Sequence, residues 1–162
     1  MKATDNNNYL LKLYQRVLGW PFGRAIFSRL FANKAPYFAT IKPTVAELKP
    51  NYCEVHFKKR RRVQNHIGTV HVIAICNGME MAMGALAEAS IPPHLRWIPR
   101  GMNVRYTAKA NSDIRVIATA NPDDWQPGDL TVDVKALRAD GEVVVEGEIV
   151  LYVSEKPAKP KS

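Results

Sequence analysis

The chain is expected to fold as an α+β domain in which one long central helix is wrapped by a curved antiparallel sheet of about six strands, with further helices at the N-terminus. Three observations carry this. From His71 to Ser90 only His71, Asn77, Glu80, Glu88 and Ser90 are clearly polar, and a helix apolar around most of its circumference is normally a buried one. On both sides of that run, apolar and polar residues alternate with the period of two that marks half-buried strands. Ahead of them, the pattern of residues 8–31 is helical. A single helix that hides nearly its whole surface needs a sheet curled around it, and a long antiparallel meander supplies one.

The elements follow in order. Residues 1–7 are polar and read as a frayed end. Leu10, Leu11, Leu13, Tyr14, Val17 and Leu18 then form one apolar helical face. Pro21, with Gly19 and Gly23 beside it, breaks that helix, and a second short helix runs through Ala25, Ile26, Phe27 and Leu30. Lys12, Arg16, Arg24 and Arg29 decorate the pair, as they would helices lying on a membrane surface. Packing on the domain or on a partner subunit is the commoner outcome and is preferred over membrane contact. After Pro36 the period changes to two. Residues 38–45 and 52–60 read as strands joined through Lys49-Pro50-Asn51, and the central helix follows. Beyond Pro92-Pro93 come strands at about 102–109, 114–120, 130–137 and 143–153. Val132, Val134 and Ala136 alternate with Thr131, Asp133 and Lys135. Asp140-Gly141 is a hairpin signal, and 121–128, with two prolines, is a loop. The Lys/Pro-rich tail from Glu155 reads as disordered. The expectation is therefore one domain over 1–154, including N-terminal helices at about 8–35, and a disordered tail over 155–162.

Composition bounds the function. With 162 residues, 46% of them hydrophobic and 23% charged, the chain can bury a substantial core. No apolar run reaches a membrane span without polar interruption, and the N-terminus lacks a secretory pattern because Lys12, Arg16 and Arg24 break its apolar residues. Cys53 and Cys76 make neither a disulfide framework nor a metal motif, which favours a reducing cytoplasm. His56, His66 and His94 have no ligand spacing, so no metal is expected. The net charge of +8 comes partly from the run Lys58-Lys59-Arg60-Arg61-Arg62 and partly from Lys156, Lys159 and Lys161. Such a surface attracts anionic ligands. No recognition motif accompanies it, so nucleic acid is not expected as a partner. A solvated edge strand is the plain alternative.

The stretch Asn65-His66-Ile67-Gly68-Thr69-Val70-His71, with Glu80 nine residues on, resembles the thioesterase-like branch of the hot-dog superfamily, including phenylacetyl-CoA thioesterase-like proteins and their little-characterised bacterial relatives. The resemblance extends from Ala35-Pro36-Tyr37-Phe38 through Gly101-Met102-Asn103-Val104-Arg105-Tyr106 to the final strand. Phenylacetyl-CoA thioesterases share the frame: Asn, then six residues on His-Gly-Gly, then Asp nine residues after that His. Glu80 falls at the Asp, and certain hydroxybenzoyl-CoA thioesterases use Glu there. Val72-Ile73 stand where that family has Gly-Gly.

The resemblance implies a hot-dog fold and an acyl-CoA thioesterase, with CoA part of the substrate and no separate cofactor. Glu80 would act as general base on water or as nucleophile. Backbone N–H groups at the helix start, near His71 and Val72, would face the developing oxyanion. Asn65 would orient carbonyl or water, and Thr69 would cap the helix. Nine residues of helix rise about 13–14 Å in two and a half turns, so His71 and Glu80 cannot serve one atom within one subunit. A site using both requires a homo-oligomer, a dimer or a dimer of dimers, with sites shared between subunits. Arg60, Arg61, Arg62, Arg105 and Lys109 are the candidates for the CoA phosphates; in strand geometry Arg60 and Arg62 share one face and Arg61 takes the other. Met79, Met81, Met83 and Met102 are candidates for an acyl pocket or for plain core.

Bland alternatives stand beside these roles. His71 would simply bond backbone, Asn65 and Gly68 would shape a loop, Glu80 would pair with an arginine, and Asn77 would support Glu80 or make a helix contact. At the level of function, the alternative is a non-catalytic acyl-CoA or lipid sensor on the same fold, kept open by Val72-Ile73. A third is a structural or membrane-surface protein. A dehydratase is disfavoured because no Asp-x-x-x-x-His motif is present.

Overall fold

A computed structural model describes residues 8–157. Two helices, α1 (Tyr9–Leu18) and α2 (Gly23–Lys34), precede a 3-10 turn at Pro36–Ile41. Strands β1 (Thr44–Lys49) and β2 (Tyr52–Phe57) lead through a second 3-10 turn, Arg61–Val63, to the long helix α3 (Val72–Ser90). Strands β3 (Leu95–Tyr106), β4 (Ile114–Ala120), β5 (Gly128–Leu137) and β6 (Val143–Glu155) complete one sheet in the order β1-β2-β4-β5-β6-β3. All five pairings are antiparallel. This is the expected helix-in-sheet architecture of the hot-dog fold.

The core lies between α3 and the concave face of the sheet. Met79, Met81, Ala82 and Leu86 are fully buried against Val55, Val116, Val132, Val134 and Leu151. Gly78 lets the helix approach closely, since a Cβ there would sit 3.1 Å from the Phe57 ring and 3.3 Å from Val116. By length and hydropathy α3 would suffice to cross a membrane, yet most of it is buried inside the protein's own sheet. It ends before Pro92-Pro93, which cannot continue a helix. Helices α1 and α2 pack through Tyr14, Val17 and Phe27, with the Tyr14 and Phe27 rings edge-to-face at 4.9 Å.

Several boundaries differ from the sequence expectation. Residues 38–41 belong to a 3-10 turn rather than a strand. Pro36 opens it, Thr40 Oγ1 donates to Tyr37 O at 2.7 Å, and Lys42 closes it with a left-handed backbone. The inward residues Phe38 and Ile41 are three apart, a helical spacing that short alternation mimicked. Strand β2 stops at Phe57, not 60, because the next N–H with a partner, that of Lys59, bonds the Asp113 side chain instead of a neighbouring strand. Strand β3 starts at Leu95, seven residues early. It is an edge strand, where Pro99 is tolerated at a register shift. At the other end, β6 runs through Glu155, and Lys156 donates its backbone N–H to His94 O and its Nζ to Pro93 O. The chain is therefore ordered past 154, and the rest of the expected tail, 158–162, lies outside the described residues, as does the expected frayed end at 1–7.

Candidate active site

The loop before α3 is built on Asn65. Its Oδ1 accepts the N–H groups of Ile67 (3.2 Å) and Thr69 (3.1 Å), and its Nδ2 donates to Thr69 Oγ1 at 2.8 Å. Gly68 takes φ +77°, open to glycine at no steric cost. Asn65 and Gly68 therefore shape this loop, whatever else they do. Two backbone bonds of 2.7 Å, Val70 N–H to Ala110 O and His71 N–H to Val63 O, pin it to the sheet.

The helix cap is His71, not Thr69. The His71 ring accepts the Ile73 N–H at Nδ1 (3.1 Å), while Thr69 is occupied with Asn65. The His71 carbonyl accepts from Ala74 and Ile75. Among the described residues nothing accepts the Val72 N–H, so it remains an oriented donor at the positive end of the helix dipole.

Glu80 is exposed, although the sequence pattern predicts a helix that hides nearly its whole surface. The sheet covers most of α3 but leaves one stripe open, on which Ile73, Glu80 and Glu88 are exposed and Cys76 is half-buried. These positions recur every three to four residues, or at multiples of that spacing, so they share a face. Among the described residues no cation lies within ion-pairing distance of Glu80. The carboxylate stands on the rim between two hollows. One, of about 980 Å³, runs between α1, α3 and β3 and includes Leu10, Leu11, Phe31, Met83, Gly84 and Trp97. The other, of about 350 Å³, includes Tyr37, Ile73, Cys76, Asn77 and Met102.

Asn77, one turn before Glu80, is buried. Its Nδ2 donates to Tyr37 O (3.0 Å) and Thr40 Oγ1 (3.2 Å), and its Oδ1 is buried with no partner. Of the four candidate methionines, Met79, Met81 and Met83 are core, Met83 also lining the groove, and Met102 lines the smaller hollow. The sequence reading gave α1 and α2 no part in the site, yet Leu10, Leu11 and Phe31 form a groove wall. Only the breadth of the α1 apolar face, wider than one packing contact needs, hinted at it.

The structure gathers Asn65, His71 and Val72 at the entrance of α3 and leaves Glu80 nine residues further along. Lys59 reaches Asn111 O, and Arg138 reaches Lys109 O. These bonds bring the 58–62 run and Lys109 to the same end of the molecule as the α3 entrance. Arg60 donates to Thr40 O, and Arg61 and Arg62 are exposed. Because Arg61 and Arg62 lie in a 3-10 turn, the expected strand alternation of Arg60, Arg61 and Arg62 does not hold. Arg105 does not join them: it lies on the other face of the sheet, paired with Glu146 at 3.1 Å. Burial pushes the Cys76 thiol above its ordinary pKa, which makes it a poor nucleophile. Among the described residues no group of three His, Cys, Asp or Glu is placed to hold a metal.

A helix laid in the concave face of a six-stranded antiparallel sheet, with polar groups at its entrance and an acid midway, defines a hot-dog protein. Residues 23–153 match the domain of unknown function DUF4442, and the chain belongs to that family. A protein solved as a structural-genomics target is 47% identical to it, over 91% of this chain and 99% of its own, with a TM-score of 0.80. A Pseudomonas aeruginosa protein of unknown function, named a probable thioesterase, shares the fold at 21% identity, 85% and 97% coverage and a TM-score of 0.74. A thioesterase from Haemophilus influenzae shares it at 11% identity, 84% and 93% coverage and a TM-score of 0.70. No curated protein matches the chain.

Proposed function

We propose that this protein is an acyl-CoA thioesterase in which Glu80 drives the chemistry. One observation carries the reading: an exposed acid, without a cationic partner among the described residues, lies on the open stripe of an otherwise buried helix and lines a large, mainly apolar groove. A groove of that size accommodates an acyl chain, and in this reading the Glu80 carboxylate meets the thioester at its head. The fold-level likeness to proteins named thioesterases supports the same class.

In the proposed reaction Glu80 takes a proton from water as the water oxygen bonds the thioester carbon. The oxyanion is met by the Val72 N–H. The C–S bond then breaks, and CoA leaves as the thiol with the proton returned. Direct attack by Glu80 would give an anhydride that water opens to the same products. Because Val72 and Glu80 are about 12 Å apart along one helix, the donor and the acid of one site come from two subunits of a homodimer. The Lys58–Arg62 run and Lys109 then sit beside the entrance and attract the CoA phosphates.

The test is a panel of acyl-CoAs of increasing chain length incubated with the purified protein while released thiol is followed. Turnover that depends on Glu80 supports the reading. Tight acyl-CoA binding with no turnover on any member would overturn it in favour of a sensor, the role kept open by Val72-Ile73 at the helix entrance.

A further inference from the structure

The α1–α2 hairpin has an inner side that packs on the domain and an outer tip that is exposed among the described residues. At the tip Trp20 is 55% exposed and Phe22 84%. Phe22, Ile26 and Leu30, all exposed, continue from the tip along α2 at four-residue spacing, which places them in one row. Lys34 lies in the next position of that row.

This apolar display is held in place by the backbone. Phe22 has φ +60°, a left-handed conformation that a bulky side chain rarely takes. It is the N-cap of α2 but makes no side-chain cap bond. Gly23 locks the turn: a Cβ there would lie 1.6 Å from Val17 O. Backbone bonds of 3.0 Å, Trp20 N–H to Val17 O and Gly23 N–H to Trp20 O, close it. Strain held at a position whose side chain stays exposed among the described residues points to a use outside them.

The charge carried by the hairpin itself is of one sign. Residues 8–46 contain Lys12, Arg16, Arg24, Arg29, Lys34 and Lys42 and no Asp or Glu. Arg24 lies against the Tyr14 hydroxyl. Arg16 and Arg29 are exposed, with no acidic partner among the described residues. Pairing this face with a second copy would bring two surfaces of the same positive sign together.

We propose that the hairpin tip docks on an anionic phospholipid surface, with Trp20 and Phe22 seated among the headgroups and upper acyl carbons while Arg16, Arg29 and Lys34 meet lipid phosphates. Tryptophan suits that depth because its ring is apolar and its N–H polar. The bilayer is matched twice, by the apolar wedge and by the cationic rim. The sequence expectation set packing on the domain or on a partner subunit against membrane contact; in this reading the inner side serves the domain and the tip the membrane.

Full-length protein is sedimented with vesicles of equimolar phosphatidylglycerol and phosphatidylcholine, and with phosphatidylcholine alone. The expected result is partition into the anionic vesicles that weakens with salt. Trp20→Ser with Phe22→Asn should lower it by roughly tenfold; Asn tolerates the left-handed backbone, so the turn survives. Arg16→Gln and Arg29→Gln should each lower it by about fivefold. Acyl chains brominated near the headgroup should quench wild-type fluorescence but not that of Trp20→Phe, where Trp97 and Trp125 remain. Circular dichroism confirms that each variant folds, and turnover of soluble substrate without vesicles should be unchanged. Partition that is equal for wild type and the tip variant would overturn the proposal. So would absence of binding to anionic vesicles, or self-association that depends on Trp20, which would assign the face to a second copy.

Discussion

The Asn77 side chain donates to the Tyr37 carbonyl at 3.0 Å and so fastens the middle of α3 to the 3-10 turn at Pro36–Ile41. Tyr37 lines the same hollow as Glu80, so this bond shapes one wall of the proposed site. Asn77→Leu should destabilise the protein by about 1–3 kcal/mol, because the Tyr37 carbonyl and Thr40 hydroxyl lose their donor. Denaturant unfolding measures it. An unchanged midpoint would mean that the turn is held by Pro36 and Thr40 alone.

Asn65 has a structural duty that any catalytic duty must share. Its three side-chain bonds close the loop at the α3 entrance. Asn65→Ala should therefore lose about 1–3 kcal/mol of stability, and its activity loss alone proves nothing. Asn65→Asp keeps both bonds to Oδ1, and the Thr69 hydroxyl can turn to donate. This variant should fold nearly as well as wild type. If its kcat nevertheless falls, Asn65 acts on the substrate; if kcat holds, the loop is its whole role.

Glu80→Gln should leave stability within about 0.5 kcal/mol, since the side chain is exposed and has no ion pair among the described residues, and should lower kcat by roughly 10²–10⁴-fold with little change in KM. Mixing it with Asn65→Ala then tests for shared sites. In a mixed dimer one site receives both lesions and the other receives neither. Random exchange makes half the dimers mixed, so activity should recover to about one quarter of wild type. Recovery that never exceeds the sum of the two parents would place each site within one subunit.

Much of this was legible in the sequence. Apolar periodicity exposed α3, the β5–β6 hairpin and the break at Pro21, because burial and proline geometry act locally. The 3-10 turn at 36–41 hid behind the same alternation a strand shows. The first half of β3 hid because Pro99 suits an edge, and edges are set by strand order, a long-range property. The exposure of Glu80 was hidden for a related reason. Its neighbours along the chain are apolar, and only the sheet's incomplete closure over α3 leaves that stripe in solvent. The frame Asn65, His71 and Glu80 was readable as spacing, but the loop bonds that occupy Asn65 were not.

The basic end of the molecule offers a salt-dependent test. Arg61 and Arg62 are exposed near the α3 entrance with no acid bound to them among the described residues. Replacing both by Gln should raise KM for CoA esters a few-fold for each residue at low salt and less at high salt, where screening already weakens the attraction. Hydrolysis of a short thioester lacking the nucleotide should be unchanged. Arg105→Gln should alter neither, because Arg105 is paired with Glu146 on the other face. Equal losses on both substrates would indicate a folding defect, and no loss on either would return the run to a solvated surface.

On β2 the side chains of Tyr52, Glu54 and His56 form a chain of bonds with consequences for stability against pH. Tyr52 Oη donates to Glu54 Oε2 at 2.9 Å, and His56 Nε2 lies 2.5 Å from Glu54 Oε1. Burial, and then the bond to the carboxylate, push the Tyr52 hydroxyl up from 10.0 to about 12. For Glu54, burial raises the pKa, but the bonds from His56 and Tyr52 outweigh it and hold the carboxyl below its ordinary 4.5. The raised Tyr52 contributes stability that is fully present below pH 10 and is lost as pH climbs through about 12. The lowered Glu54 contributes stability present above pH 4.5 and lost as pH falls through its folded value. Cys53, raised by burial, also loses stability in alkali, so wild type alone cannot isolate Tyr52. Tyr52→Phe keeps Cys53 and removes only the hydroxyl. The stability advantage of wild type over Tyr52→Phe should therefore be steady near neutrality and shrink between pH 10 and 12. Denaturation midpoints of the two proteins, compared across that range, measure it. A difference that stays constant through pH 12 would show that Tyr52 does not hold its proton through the bond to Glu54.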